Sequence, residues 1–150
     1  MTNNKNINLD EIVLPDNYKP SEQEEYMNPM QLAYFKKKLL DWKNELIEGS
    51  QSTIQTLVEE TNDTYSIAGD DVDRANDEAL KQLELRAKDR ERKLINKIDA
   101  ALKRIEDGTF GYCEITDEPI GTKRLEARPV ATMTVEAQEE HETKEKMYNN

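Results

Sequence analysis

The sequence predicts a mainly α fold, a long antiparallel coiled-coil hairpin carrying a small globular lobe and a closing helix. Three observations lead there. Two stretches, residues 29–60 and 73–107, set apolar side chains three and four apart, the spacing that lines one face of an α-helix. A short acidic segment, Gly69-Asp70-Asp71-Val72-Asp73-Arg74-Ala75, lies at the bend between them. The 150 residues are 35% hydrophobic and 35% charged, with a mean hydropathy of -0.95. That leaves too little apolar matter for a spherical core, whereas a narrow helical seam needs less.

Residues 1–28 are polar, with Pro15, Pro20 and one apolar island, Ile12-Val13-Leu14. They read as a lead-in packing on the lobe, with a short helix at 21–27. Asn28 then Pro29 is a helix start, because proline's missing N–H costs nothing at the first helical position. Leu32, Phe35, Leu39, Trp42 and Leu46 form the stripe of the first helix, and Leu40, Ile47 and Ile54 a second row. The second helix shows Leu80, Leu83, Ala87, Arg90, Leu94, Ile98, Ala101 and Ile105, with Arg90 as the charged position inside the seam. Gly108 supplies the stop, and Lys103 and Arg104 suit the negative end of the helix dipole. A helix over 73–107 rises about 50 Å at 1.5 Å per residue, and its apolar stripe needs a cover. The first helix is that cover, with 61–72 as the turn, so residues 29–108 form the hairpin. Residues 109–132 follow as a lobe of turns and short strands around Phe110 to Cys113 and Glu118 to Gly121. A polar helix from Met133 to Lys146 is predicted within the last segment, 133–150.

The formal charge of -11 disfavours direct binding to DNA or to an anionic membrane. The charge is also uneven. Residues 59–78 hold eight acids against Arg74 alone, a net of -7, whereas residues 81–104 hold nine bases and four acids, a net of +5. An acidic tip on a basic shaft suits two different patches of a partner. Cys113 is the single cysteine, so no intrachain disulfide forms. No apolar run nears the roughly 20 residues that cross a bilayer, and the expectation is a cytoplasmic monomer. No nucleophile–base–orienter set or glycine-rich phosphate loop appears, so no catalysis is expected.

Cys113-x2-Thr116, seventeen residues, then Thr134-x2-Ala137 has the spacing of a four-cysteine zinc ribbon with three ligand positions replaced. One thiolate, two hydroxyls and a methyl cannot supply a tetrahedral zinc site, so the lobe reads as a degenerate ribbon without zinc. Cys113 with His141, the single histidine, is too poor a donor set to change this. Nothing near Cys113 in the sequence lowers its pKa, and Glu114 and Asp117 push the other way. A packed remnant of the ribbon is favoured over a redox-active thiol.

With these residues in view, the chain resembles the DksA family of RNA polymerase-binding transcription factors over residues 18–142. The resemblance rests on Glu24-Glu25-Tyr26-Met27-Asn28, Gln31-Leu32-Ala33-x-Phe35, the tip word Asp70 to Ala75, and Asp89-Arg90-Glu91-Arg92-Lys93-Leu94-Ile95. Phe110-Gly111-Tyr112-Cys113-Glu114 and Arg124-Leu125-Glu126-Ala127-Arg128-Pro129 complete it. The single-cysteine ribbon is similar to the zinc-independent branch of that family. The resemblance implies a coiled coil inserted into the secondary channel of RNA polymerase, with Asp70, Asp73 and Ala75 near the active-site elements. It implies ppGpp as co-regulator in the stringent response, at Leu94, Lys97, Arg128 and Gln138, and no bound cofactor. Gln138 stands where many zinc-bearing members have lysine, which implies a weaker phosphate contact. Asp71 replaces a proline common at the family's tip.

For Asp70 and Asp73 the plainer reading is helix capping, and for Arg86 to Lys93 a solvated face. The resemblance instead gives the aspartates a role at the polymerase active site. The basic shaft around Arg86 and Arg90 would then dock on an acidic surface. Two other functions fit the same hairpin: a Gre-like transcript cleavage factor and a structural coiled-coil adapter.

Overall fold

The computed structural model describes residues 8–65 and 70–148. A 3-10 turn at Leu9–Glu11 is followed by α1 (Pro29–Tyr65), α2 (Asp70–Asp107), α3 (Thr122–Ala127) and α4 (Val135–Tyr148). The fold is mainly α, a long antiparallel helical hairpin with a lobe and a C-terminal helix. The described residues form two compact units, one spanning Asp41–Lys97 and the other joining the residues up to Leu40 with those from Ile98 onward.

α1 begins where the sequence places it. The Asn28 Oδ1 accepts from the Gln31 N–H at 2.9 Å, and the Gln31 Oε1 accepts from the Met27 N–H at 2.8 Å. This reciprocal exchange satisfies donors that a helix start leaves open. Gln31 is wholly buried, and its Nε2 donates to the Ser21 carbonyl at 3.2 Å. Residues 21–27 are turns, not the predicted helix. The Glu24 carboxylate takes the Ser21 N–H at 2.9 Å and the Tyr18 hydroxyl at 3.0 Å, while Met27 sits at a φ of 52°. Local side-chain bonding here displaces the helical ladder. Among the described residues of the lead-in, the helical turn is Leu9–Glu11, capped by Asn8 and tethered by a 2.9 Å ion pair from Asp10 to Lys36.

The helices run further toward each other along the chain than expected. α1 continues to Tyr65 and α2 starts at Asp70, so only 66–69 remain to connect them, and these lie outside the described residues. The acidic residues 70–73 open α2, at the end where the helix dipole favours negative charge.

The seam of α2 lies one residue away from the predicted one at two positions. Leu80, Glu84, Ala87, Glu91 and Leu94 are half-buried in the helical unit, whereas Leu83 is 48% exposed and Arg90 faces solvent. Alternating steps of four and three hold one stripe along α2, and Glu84 and Glu91 occupy it through their aliphatic stems. On α1, Leu40 is 40% exposed, and the Ile54 side chain lies outside the described residues.

In the other unit, Phe35, Leu39, Ile98, Ala101, Ile105, Phe110 and Leu125 make the core, with the Phe35 and Phe110 rings 5.6 Å apart. The expected short strands reduce to one antiparallel bridge, Tyr112 with Pro119. The turns between them carry most of the lobe's backbone bonding. α3, six residues long, is too short to leave a periodic signal in the sequence. α4 starts at Val135, because the Thr134 hydroxyl accepts from the Ala137 N–H at 3.2 Å and ends the preceding segment as an N-cap.

Two polar ties fasten this unit. The Tyr26 hydroxyl donates to the Gly111 carbonyl at 2.6 Å and accepts from the Gly121 N–H at 2.9 Å, with its ring stacked on Tyr112. The Glu126 Oε1 accepts from the Tyr34 hydroxyl at 2.6 Å and from Lys38 at 3.0 Å. Burial pushes Tyr34 up to about 12, helped by the Glu126 carboxylate. Burial opposes the charge on Glu126, but Tyr34 and Lys38 outweigh it and hold its carboxyl below the ordinary value.

Gly111 has a φ of 92°, and a Cβ there would stand 2.9 Å from the Met27 Cγ and Sδ. Gly111→Ala should therefore destabilise by about 2–4 kcal/mol, backbone strain plus overlap. Gly108→Ala has the same strain (φ 80°) but open space, and should cost about 1 kcal/mol. Chemical denaturation of the two variants checks the order. Folding lowers the Glu126 carboxyl, so its contribution is present above the ordinary carboxylate range and is lost as pH falls through the lower folded value. Glu126→Gln should flatten that acid limb of the stability–pH curve, measured by denaturant midpoints at successive pH values.

Candidate functional site

In the helical unit, Asp70, Asp73 and Ala75 all lie in the first two turns of α2. Ala75 is exposed, and the side chains of Asp70 and Asp73 lie outside the described residues, as does their expected capping. Further along, Arg86, Arg90, Lys93 and Lys97 step by four, three and four, which puts them on one face of the helix. All four are exposed. Lys93 pairs with Asp89 at 3.1 Å, while no carboxylate among the described residues pairs with Arg86, Arg90 or Lys97. The seam shift described above is what frees Arg90 for this face. Leu94 is half-buried. The structure thus gathers Arg86, Arg90 and Lys97 into a single basic row, a surface able to meet an acidic partner or a phosphate.

In the lobe unit, Arg128 closes α3, its N–H bonded to the Arg124 carbonyl at 2.7 Å, and its side chain is exposed. Arg124 in turn donates from its Nε to the Met133 carbonyl at 3.0 Å. That bond ties α3 to the chain entering α4. Gln138 sits in the first turn of α4, where its Nε2 donates to Glu142 at 3.0 Å. The sequence reading missed Arg124, Glu126 and Tyr34 as the residues that set the lobe's geometry. The available signal was Tyr34 with Lys38, four apart on α1 and so able to reach one acceptor.

The degenerate ribbon positions come together as a buried cluster with one exposed member. Cys113, Thr134 and Ala137 are buried, at 1%, 7% and 6% exposure, and Thr116 is on the surface. The Cys113 sulfur accepts from the Thr116 hydroxyl and from the N–H groups of Thr116, Thr134 and Ile115. Burial works against a thiolate here, but these hydrogen bonds outweigh it and lower Cys113 to about 7. This corrects the expectation that nothing lowers the thiol. The neighbouring carboxylates of Glu114 and Asp117 are exposed, while the largest cause lowering the thiol is the Thr116 hydroxyl, followed by the N–H groups of Thr116, Thr134 and Ile115. His141 pairs with Glu145 at 3.1 Å on an exposed stretch of α4.

Two family models cover the chain. Residues 31–105 match the N-terminal domain of DnaK suppressor protein DksA, and residues 108–142 match the prokaryotic dksA/traR C4-type zinc finger. The second implies zinc, but the donor set does not fit it. Ala137 offers no lone pair, the Thr134 hydroxyl already serves as the α4 cap, and one thiolate alone does not bind structural zinc. Among the described residues no group of three or more His, Cys, Asp or Glu converges on a common point. The RNA polymerase-binding transcription factor DksA of Caulobacter vibrioides is 53% identical over 93% of this chain and 95% of that protein. The Escherichia coli K12 protein of the same name is 43% identical over 86% of this chain and 83% of its own length. Among solved structures, transcription factor DksA2 from Pseudomonas aeruginosa superposes with a TM-score of 0.66, at 39% identity over 83% of this chain and 94% of that one. Sequence words, helical hairpin and lobe agree throughout: the chain belongs to the DksA family.

Proposed function

We propose that this chain binds RNA polymerase directly and regulates transcription initiation, with the start of α2 inserted into the secondary channel of the enzyme. The observation that carries the reading is the 53% identity, over nearly the whole chain, to an RNA polymerase-binding transcription factor. The exposed basic row supports it. Three cations left without a described carboxylate partner repel one another and are best placed against negative charge on another molecule. Asp70, Asp73 and Ala75 are the residues proposed to act near the polymerase active site, and Arg86 and Arg90 to dock the shaft. The protein acts as a cytoplasmic monomer without catalysis of its own and without touching DNA. No helix of the described residues is long and apolar enough to cross a membrane. The alarmone ppGpp is the proposed co-regulator, faced by Leu94, Lys97, Arg128 and Gln138. Gln138 is neutral and turned toward Glu142, so the phosphate attraction falls on Lys97 and Arg128.

Asp73→Asn retains side-chain shape and a capping oxygen but removes the charge. It should leave polymerase affinity and helicity unchanged and reduce repression of a ppGpp-sensitive promoter by on the order of tenfold. In vitro transcription with the purified enzyme checks this, and undiminished repression would overturn the tip's role. Lys97→Ala and Arg128→Ala should each weaken ppGpp binding to the polymerase complex by about tenfold, the worth of one charge-assisted phosphate contact. Both residues are exposed, so the melting temperature should hardly move.

A further inference from the structure

We propose that the helical unit carries a joint in the middle of α1, at Gly49-Ser50-Gln51-Ser52-Thr53, on which the tip-bearing half of the hairpin bends while α2 stays whole. α1 runs as one helix from Pro29 to Tyr65, so this stretch is helical. Its composition works against that state. Glycine loses the most backbone freedom on entering a helix, and serine and threonine are residue types whose hydroxyls compete with the helical ladder, so four of these five residues rank low as helix formers. Nothing in the fold requires the glycine. Gly49 is exposed, takes no positive φ, and a Cβ there would meet nothing within 4 Å.

The facing helix gives little support at that level. Residues 49–53 lie twelve to sixteen positions before the end of α1, and residues 82–86 the same number after the start of α2, so in an antiparallel hairpin the two stretches stand side by side. Between Leu80 and Leu94 the half-buried positions of α2 are Glu84, Ala87, Asp89 and Glu91, and none of them is a large apolar residue. Leu83 and Leu85 turn away, 48% and 66% exposed. Packing of an apolar face supplies most of a helix's stability in a protein, so a weak helical stretch set against a polar stripe is where the ladder opens first. α2 lacks that weakness. Gln82-Leu83-Glu84-Leu85-Arg86 are all good helix formers, and Glu84 pairs with Lys88 one turn on at 3.6 Å. One helix therefore yields while its neighbour keeps the two halves connected. The use of the joint rests on the polymerase reading: the bent form is the one that enters a narrow channel, and the free chain populates it in advance.

Amide hydrogen exchange along α1 of the full chain tests the joint, and affinity for core RNA polymerase tests its use. Exchange should peak at residues 50–55, on the order of tenfold faster than at 40–46 and slower again beyond 56, with 82–86 of α2 protected. Gly49→Ala meets no obstacle and should slow exchange at 50–55 by about fivefold, leave 40–46 unchanged and raise the melting temperature. The same variant should weaken binding to core polymerase by up to about fivefold, because it depletes the bent form while stabilising the free coil. Exchange that climbs steadily toward Tyr65, or a peak that Gly49→Ala does not lower, would overturn the joint. A lowered peak with unchanged affinity would overturn its part in docking. An unmodified chain that shows the peak yet binds no polymerase supports the joint and sinks the polymerase reading instead.

Discussion

Burial of one apolar junction holds the lobe unit, and the other features hang from it. Phe35 and Leu39 from α1, Ile98 and Ile105 from α2, Phe110 after it and Leu125 from α3 are almost wholly shielded from water. Each such side chain contributes about 1.5–3 kcal/mol. The polar ties around them are smaller. Lys38 and Glu126 are each about one-third exposed, and ion pairs of that kind are worth under about 1 kcal/mol. Their value is in direction: Tyr34, Lys38 and Glu126 orient α3 against α1, and the hydrophobic contact supplies the free energy.

The same ranking explains why the lobe can do without an ion. A ribbon stripped of three cysteines would fail if metal were its only tie. This one has a buried phenylalanine and leucine beneath it, and a tyrosine hydroxyl joining Gly111 to Gly121. A backbone bond from the Glu114 N–H to the Thr132 carbonyl, 2.9 Å, joins the remaining two segments. Several modest interactions replace a single strong one.

Charge organisation belongs to another level. The basic face of α2 contributes little to folding, since Arg86, Arg90 and Lys97 are exposed and make no ion pair among the described residues. Residues that neither pack nor pair within the chain are free to be selected for what they meet outside it.

The helices, the Asn28-Pro29 start, the change of character at Gly108 and the family words were all legible in the linear chain, because helical periodicity, capping and turn preference act between residues a few positions apart. So was the inadequacy of the ribbon's ligands, which is a matter of side-chain chemistry alone. Tertiary packing decided the rest. Which of Leu83 or Glu84, Arg90 or Glu91, turns inward depends on a rotation of about 100° about the helix axis, and only the facing helix sets it. The turns at 21–27 follow from Glu24 and Gln31 serving as acceptors for backbone N–H groups elsewhere in the lead-in. Local forces wrote the elements, and long-range burial chose their faces and partners.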